Sequence, residues 1–101
     1  MKLCALDDLT DGTATRFEAG GRIISAIRLG DAVYVIGDRC SHADVSLTDG
    51  DIDAEECTIE CPKHGSAFSL ETGEALSLPA LKPVPSYAVA IVDGQVEVDL
   101  S

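Results

Sequence analysis

Two short cysteine–histidine motifs near the middle of the chain constrain its fold more than any other feature of the sequence. The first is Cys40-Ser41-His42 and the second is Cys61-Pro62-Lys63-His64-Gly65, with 18 residues between the two motifs. Each motif places a thiolate donor and an imidazole donor on one tight loop, and the motifs contain both histidines of the protein. Two such loops facing each other surround one site with two sulfurs and two nitrogens, so the fold has to bring the motifs together.

The order of the donors separates two kinds of metal site. Two sulfurs and two nitrogens suit zinc or an iron–sulfur cluster. The common zinc-finger order is a cysteine pair followed by a histidine pair, whereas this chain has Cys-His followed by a second Cys-His. The alternating order fits a cluster of two irons, one held by both cysteines and the other by both histidines. A structural zinc-binding adaptor without a redox role stays open as an alternative.

The segments on either side of the motifs indicate an all-β fold. Short runs rich in valine, isoleucine and threonine alternate with glycine and aspartate turns. Gly30–Asp31 and Asp93–Gly94 are two-residue turns of the kind that joins hairpin strands. They predict strands over 22–29 and 32–36 and over 87–92 and 95–100, with weaker strands over 3–6 and 15–19. No segment shows a sustained helical stripe with caps.

The middle of the chain differs in character from the hairpins. Residues 37–77 contain both motifs and many small or polar residues, so we expect a metal-binding subdomain inserted between two hairpin regions of one domain spanning 1–101. Three prolines in 78–85 predict an extended, stiff loop. We expect Cys4 and Cys57 to be core residues in strand-like runs, and the acidic residues around 49–60 to form a solvated turn rather than a calcium site.

Charge narrows the possible partners. The net charge of −11 disfavours binding to nucleic acid or to anionic membranes and favours basic partners. The N-terminal residues lack the basic stretch and apolar run of a signal peptide, and no apolar run is long enough to span a bilayer. We therefore expect a cytoplasmic protein with no membrane association, and a monomer.

The two motifs resemble the signature of Rieske [2Fe–2S] proteins, and the chain as a whole resembles the soluble Rieske ferredoxins of bacterial multicomponent oxygenases. The resemblance implies an antiparallel β-sandwich or barrel with an inserted cluster-binding subdomain and one [2Fe–2S] cluster per chain. It also implies that Cys40 and Cys61 hold an inner iron and that His42 and His64 hold an outer iron near the surface. Pro79 would lie in a loop that covers the cluster.

Departures from the high-potential members of the resembled family indicate a low potential. The positions of their extra disulfide are occupied here by Val45 and Lys63, and Phe68 replaces a tyrosine whose hydroxyl lies near the cluster. Ser66 remains as a candidate donor to a cluster sulfide. Fewer donors stabilise the reduced state less, so we expect the low end of the Rieske range, which runs from about −150 to +300 mV.

The resemblance implies a one-electron carrier and not an enzyme. It would pass electrons from a flavoprotein ferredoxin reductase to a terminal non-haem iron oxygenase. Candidate residues around the cluster or in partner contacts are Ser66, Lys63, Phe68 and Pro79. The alternative is a small Rieske subunit of a larger reductase, such as assimilatory nitrite reductase. The chain has no tryptophan after the first histidine, where ferredoxins of aromatic-hydrocarbon dioxygenases often carry one, so the partner oxygenase stays open.

Overall fold

In the part of the chain that the structure describes, the regular structure consists of nine strands and two short 3-10 turns. The computed structural model describes residues 1–41, 44–63, 65–78 and 80–100. The strands are β1 (Lys2–Ala5), β2 (Thr13–Ala19), β3 (Arg22–Leu29), β4 (Ala32–Gly37), β5 (Asp51–Asp53), β6 (Thr58–Glu60), β7 (Ala67–Ser69), β8 (Ser86–Val92) and β9 (Gln95–Asp99), and the turns cover Leu6–Asp8 and Leu47–Asp49. No helix within these ranges is both long and apolar enough to cross a membrane.

Six strands form one antiparallel sheet in the order β1-β9-β8-β4-β3-β2. Both expected hairpins are confirmed, and β3 has the predicted bounds. Gly30 has a φ of 64° at the first turn position, while Asp93 and Gly94 have φ values of 53° and 74°. These left-handed conformations let two-residue turns match the twist of their strands. The all-β prediction is therefore confirmed.

The sheet curls on itself into a barrel-like shape. Arg28 of β3 donates to the carbonyl oxygens of Leu6 (3.2 Å) and Leu9 (2.8 Å), which follow β1 at the other end of the strand order. The enclosed side holds the first core cluster. Its buried members are Leu9, Ala19, Ile24, Ala26, Val33, Val35, Val96 and Val98.

A second, three-stranded sheet lies in residues 37–77, which we call the middle segment, in the order β5-β6-β7. The sequence did not predict these strands, because three residues each are too few for alternation to be recognised. Ile59 of β6 is paired with Phe68 of β7, and both are fully buried. They belong to a second core cluster that includes Ile27 and Ile36 of the barrel.

Strand β3 therefore contributes to two cores. Ile24 and Ala26 point into the barrel, while Ile27 packs against the middle segment, as expected from the alternation of side chains along a strand. Burial on both faces explains why Ala26 and Ile27 are consecutive apolar residues, where a strand buried on one face would alternate apolar with polar residues.

Two expectations about the middle segment were wrong. Cys57 lies in the turn before β6 with a φ of 57°, not in a strand, although it does pack against the second core. Asp51 and Asp53 lie in β5 and not in a turn, although both are exposed as expected. Cys4 lies in β1 and packs, half-buried, against the first core.

Candidate metal centre

The first motif follows β4 on a closed loop. Arg39 and Ser46 form an isolated antiparallel bridge, and the backbone N–H of Cys40 donates to the carbonyl oxygen of Val45 at 3.0 Å. These contacts turn the chain back on itself and direct Cys40 inward, where the residue is 3% exposed. His42, the other predicted ligand of this motif, lies outside the described residues.

The second motif follows β6 on a tighter loop. The N–H of Cys61 donates to the Ser66 carbonyl at 2.7 Å, and the N–H of Gly65 donates to the Cys61 carbonyl at 3.0 Å. Gly65 has a φ of 76°, a conformation that glycine adopts without strain. Cys61 is 2% exposed. His64, the predicted histidine of this loop, lies outside the described residues.

The fold brings Cys40 and Cys61 into the same buried cluster, with Leu47, Ile59 and Phe68 among its members. None of the four cysteines forms a disulfide, and all four are within the described ranges. Two buried thiols on adjacent loops fit the cysteine ligands of an iron–sulfur centre. Among the residues described, no three histidine, cysteine, aspartate or glutamate side chains are grouped for a metal ion.

The other sequence-predicted residues are in different environments. Ser66 and Phe68 are both fully buried, so neither offers a surface to a partner. The Ser66 hydroxyl oxygen accepts from the backbone N–H of Ala80 at 3.0 Å, which leaves its own proton available for donation. Lys63 is exposed on the second motif loop. Pro79 lies outside the described residues.

The segment after Pro79 connects to both motif loops. Ala80 is bound to Ser66 of the second loop, and the carbonyl oxygen of Lys82 accepts from the Ser41 hydroxyl of the first loop at 2.5 Å. Between these two anchors, Leu81 is 80% exposed. We name residues 80–82 the bracing segment. Sequence reasoning missed these bonds, and the serine in each motif loop was their only signal.

Sequence reasoning also missed a buried carboxylate beside the first motif. Asp38 is 3% exposed, and it accepts hydrogen bonds from Ser46 Oγ (2.8 and 2.7 Å), from the Thr48 N–H (3.1 Å) and from Thr48 Oγ1 (2.6 Å). Arg16 Nε lies 3.6 Å from Asp38 Oδ2. The available signal was an aspartate two residues before Cys40, with hydroxyl residues at 46 and 48.

Charge is distributed unevenly around the loops. An open groove beside the small sheet is lined by five carboxylates, namely Asp51, Asp53, Glu55, Glu56 and Glu60. On the motif loops and the bracing segment the exposed cations are Arg39, Lys63 and Lys82, and Arg39 Nε lies 3.3 Å from the exposed Asp44 carboxylate. A charged partner would therefore meet cations close to the motifs and carboxylates to one side.

Tyr34 lies at the edge of the second core and contacts Cys57. A hydrogen bond with the Cys57 thiol, followed by charge repulsion from Cys57, burial and the nearby Glu71 carboxylate, raises the pKa of Tyr34. Elsewhere, burial and then Asp8 raise the pKa of the Cys4 thiol. Neither cysteine belongs to a motif, and a raised pKa makes the Cys4 thiol less reactive than an ordinary cysteine at neutral pH.

Comparison with known proteins identifies the family. The Rieske [2Fe–2S] domain matches residues 1–88, which include both motifs and the bracing segment. The chain therefore belongs to the Rieske [2Fe–2S] family, and its cofactor is a [2Fe–2S] cluster rather than zinc. The family places the chain among electron-transfer proteins.

Related proteins agree over nearly the full length. The chain is 37% identical to the 3-phenylpropionate/cinnamic acid dioxygenase ferredoxin subunit of Escherichia coli strain K12, over 96% of this chain and 90% of that protein. It resembles the ferredoxin of carbazole 1,9a-dioxygenase from Nocardioides aromaticivorans IC177 with a TM-score of 0.94 and 37% identity, covering 97% of this chain and 94% of the other. A ferredoxin solved in complex with the reduced oxygenase of carbazole 1,9a-dioxygenase matches with a TM-score of 0.87 and 36% identity, over 97% and 90% of the two chains.

A more distant relative represents the alternative function. A candidate NADH-dependent nitrite reductase small subunit from Mycobacterium tuberculosis matches with a TM-score of 0.82 and 26% identity, over 97% of this chain and 91% of that one. The two classes share the fold, and the sequence is nearer to the dioxygenase ferredoxins.

Proposed function

We propose that this chain accepts single electrons from a flavoprotein ferredoxin reductase and delivers them to a terminal non-haem iron oxygenase, as a cytoplasmic monomer. The proposal is supported by its likeness to ferredoxin components of two dioxygenase systems, one of them solved together with its oxygenase. The observation that carries it is the pair of buried cysteines on loops tied to one exposed segment.

In this proposal Cys40 and Cys61 hold the inner iron, and His42 and His64 hold the outer iron. When bound, the cluster supplies one-electron redox chemistry. The protein supplies a dry apolar surround on the cysteine side, from Leu47, Ile59 and Phe68, all fully buried. Ser66, whose hydroxyl proton is available, is the candidate hydrogen-bond donor to a cluster sulfide.

The proposed partner contact is the surface around the bracing segment. Leu76, Leu78 and Leu81 are 50%, 73% and 80% exposed and line one shallow groove, and exposed apolar residues grouped in this way favour an interaction site. Exposed Lys63 and Lys82 border them. Docking here would place a partner over the motif loops and give electron transfer its shortest path.

The first test is chemical analysis of the purified protein. We expect a red-brown protein with two irons and two acid-labile sulfides per chain. One zinc per chain with no sulfide would refute the cofactor assignment.

The ligand set is tested by substitution with matched controls. His42→Ala or His64→Ala should abolish the native visible and EPR spectra, and Cys61→Ser should do the same, because each removes an iron ligand. Cys4→Ser should leave the spectra unchanged, since Cys4 packs against the first core and not with the motif cysteines. A native spectrum in His64→Ala would show that the ligand set is wrong.

The docking surface is tested by comparing two exposed apolar residues. Leu81→Ser should slow reduction by the reductase or oxidation by the oxygenase about 10-fold or more, as expected for a central interface leucine. Ile91→Ser is the control, because Ile91 is also exposed but lies on β8 of the barrel. Equal electron-transfer rates in the two variants would show that the partner contact does not include Leu81.

Ionic strength tests the electrostatic part of the proposal. Raising salt should slow reduction by the partner while leaving the midpoint potential unchanged, because salt screens encounter between opposite charges. A rate that does not depend on salt would exclude steering by the acidic surface.

The second candidate, a small subunit of nitrite reductase, is favoured only by the 26% identical relative. The two functions differ in how the protein associates. A free carrier should exchange electrons as a monomer with transient partners, whereas a subunit should co-purify in a stable complex. Size-exclusion chromatography of the native protein from its source distinguishes the two.

A further inference from the structure

Asp38 is the one buried charged side chain among the described residues, and it has no role in the function proposed above. It lies directly after β4 and two residues before Cys40. Its side chain is 4% exposed, accepts hydrogen bonds from the hydroxyls of Ser46 and Thr48 and from the Thr48 N–H, and lies 3.6 Å from Arg16 Nε. All these groups are donors, and the acceptor-only carboxylate form satisfies them.

The bonds of Asp38 join three elements around the first motif loop. Ser46 closes that loop through its bridge to Arg39, and Thr48 lies in the 3-10 turn that follows. Thr48 Oγ1 also lies 2.9 Å from Ser25 Oγ on β3. The Asp38 carboxylate therefore helps to link the loop that carries Cys40 to the barrel.

A structural role alone does not require a charge at this position. Burying a carboxylate is costly unless it is fully hydrogen-bonded, and apolar side chains in place of the whole network would avoid the cost. Asp38 is also close in the chain to the proposed iron ligand Cys40. Two residues of backbone span at most about 7 Å, so the Cα atoms of Asp38 and Cys40 are no farther apart than that.

We infer that Asp38 is a positioning residue for the first Cys–His loop and that its buried carboxylate lowers the reduction potential of the cluster. The inference rests on the ligand set proposed above. A fixed negative charge disfavours adding an electron nearby, and the interaction is strong where water is excluded. Arg16 opposes it weakly, because its side chain is 57% exposed and solvent screens its charge.

The test is protein-film or spectroelectrochemical measurement of the midpoint potential in four variants of the cluster-loaded protein. Asp38→Asn removes the charge while keeping the shape, and the potential should rise. Arg16→Gln removes the opposing charge, and the potential should fall by a smaller amount. Ser46→Ala removes one donor but keeps the carboxylate, so stability should decrease while the potential stays close to that of the unmodified protein.

Asp31→Asn is the matched charge control, because Asp31 is exposed at the opposite end of β4, about 20 Å along the strand. Its potential should not change. The same potential in Asp38→Asn and Asp31→Asn would overturn the inference, and so would an equal rise in Ser46→Ala. If Asp38→Asn fails to hold a cluster, the midpoint potential of Arg16→Gln is the deciding measurement. A lowered potential in that variant supports the inference, and an unchanged potential overturns it.

These outcomes are separate from failure of the proposed function. An unmodified protein without iron and sulfide would overturn the cofactor assignment and the inference together. An intact cluster whose potential is the same in the unmodified protein, Asp38→Asn and Arg16→Gln would overturn the inference alone. The proposed electron-carrier function would still stand.

Discussion

The barrel and the middle segment are held together in different ways. Barrel strands β2, β3 and β8 are seven or eight residues long and pair over most of their length. Strands β5, β6 and β7 have three residues each, and the rest of the middle segment relies on single hydrogen bonds such as those of Ser66 and Asp38. Short strands contribute little stability of their own. The middle segment therefore depends on its packing against the barrel and on the cluster.

The largest expected effect comes from removing the cluster. Acid treatment with a chelator should reduce the hydrogen-exchange protection of middle-segment amides such as those of Cys61 and Leu70 by at least about 100-fold, or about 3 kcal/mol. Amides of β3 should keep most of their protection. Equal loss in both regions would show that they unfold as one unit.

The second prediction compares two glycines that have the same φ angle. Gly12 and Gly73 both have a φ of 78°, but a Cβ at Gly73 would lie 2.0 Å from the Val84 carbonyl oxygen, while a Cβ at Gly12 would meet nothing within 4 Å. Gly12→Ala should cost about 1 kcal/mol from conformation alone. Gly73→Ala should cost about 4 kcal/mol or more because the backbone must separate.

The free energy of unfolding, from urea titration, checks this pair. Gly73 lies where the middle segment contacts the chain leading to β8, and the N–H of Val84 donates to its carbonyl at 2.8 Å. Equal losses in the two variants would mean that this close approach is not needed for stability.

The third prediction compares the two ties of the bracing segment. Ser66→Ala leaves the buried N–H of Ala80 without its acceptor and should cost about 1–3 kcal/mol. Ser41→Ala breaks an exposed bond to Lys82 and should cost about 0.5–1 kcal/mol. Thermal unfolding of the cluster-loaded protein measures both. A larger loss in Ser41→Ala would indicate that the exposed tie dominates.

The smallest effect concerns Tyr34, where the barrel meets the middle segment. Its pKa lies above the usual 10.0, first because of the hydrogen bond with Cys57. Because the folded-state pKa is raised, this contribution to stability is complete below about pH 10 and is lost as pH rises through the folded-state value. Cys57→Ala should lower the pKa of Tyr34 and flatten the alkaline loss of stability.

Tyrosinate absorbance against pH measures this shift, in a Tyr87→Phe background so that one tyrosine remains. Cys57→Ser is the control, since its hydroxyl retains a hydrogen-bonding group. An unchanged Tyr34 pKa in Cys57→Ala would show that the hydrogen bond with Cys57 does not raise it.

Local sequence was sufficient for the hairpins and for the motifs. A hairpin is encoded by two runs of β-formers and a turn residue with positive φ, all within about 15 residues, and Gly30 and Gly94 supply such residues. The Cys-His motifs are likewise contiguous in the chain. The matching bounds of β3 and the family assignment both follow from such short-range patterns.

Other features were decided only by the tertiary structure, because they depend on residues that are distant in the chain. The pairing of β1 with β9 brings together the two ends of the described chain, and nothing local specifies that partnership. The close approach of Gly73 to Val84 and the bond from Ser41 to Lys82 join loops that are separate in sequence. Asp38 reads as an ordinary surface aspartate until the fold buries it, since burial arises from the packing of several elements and not from the residue itself.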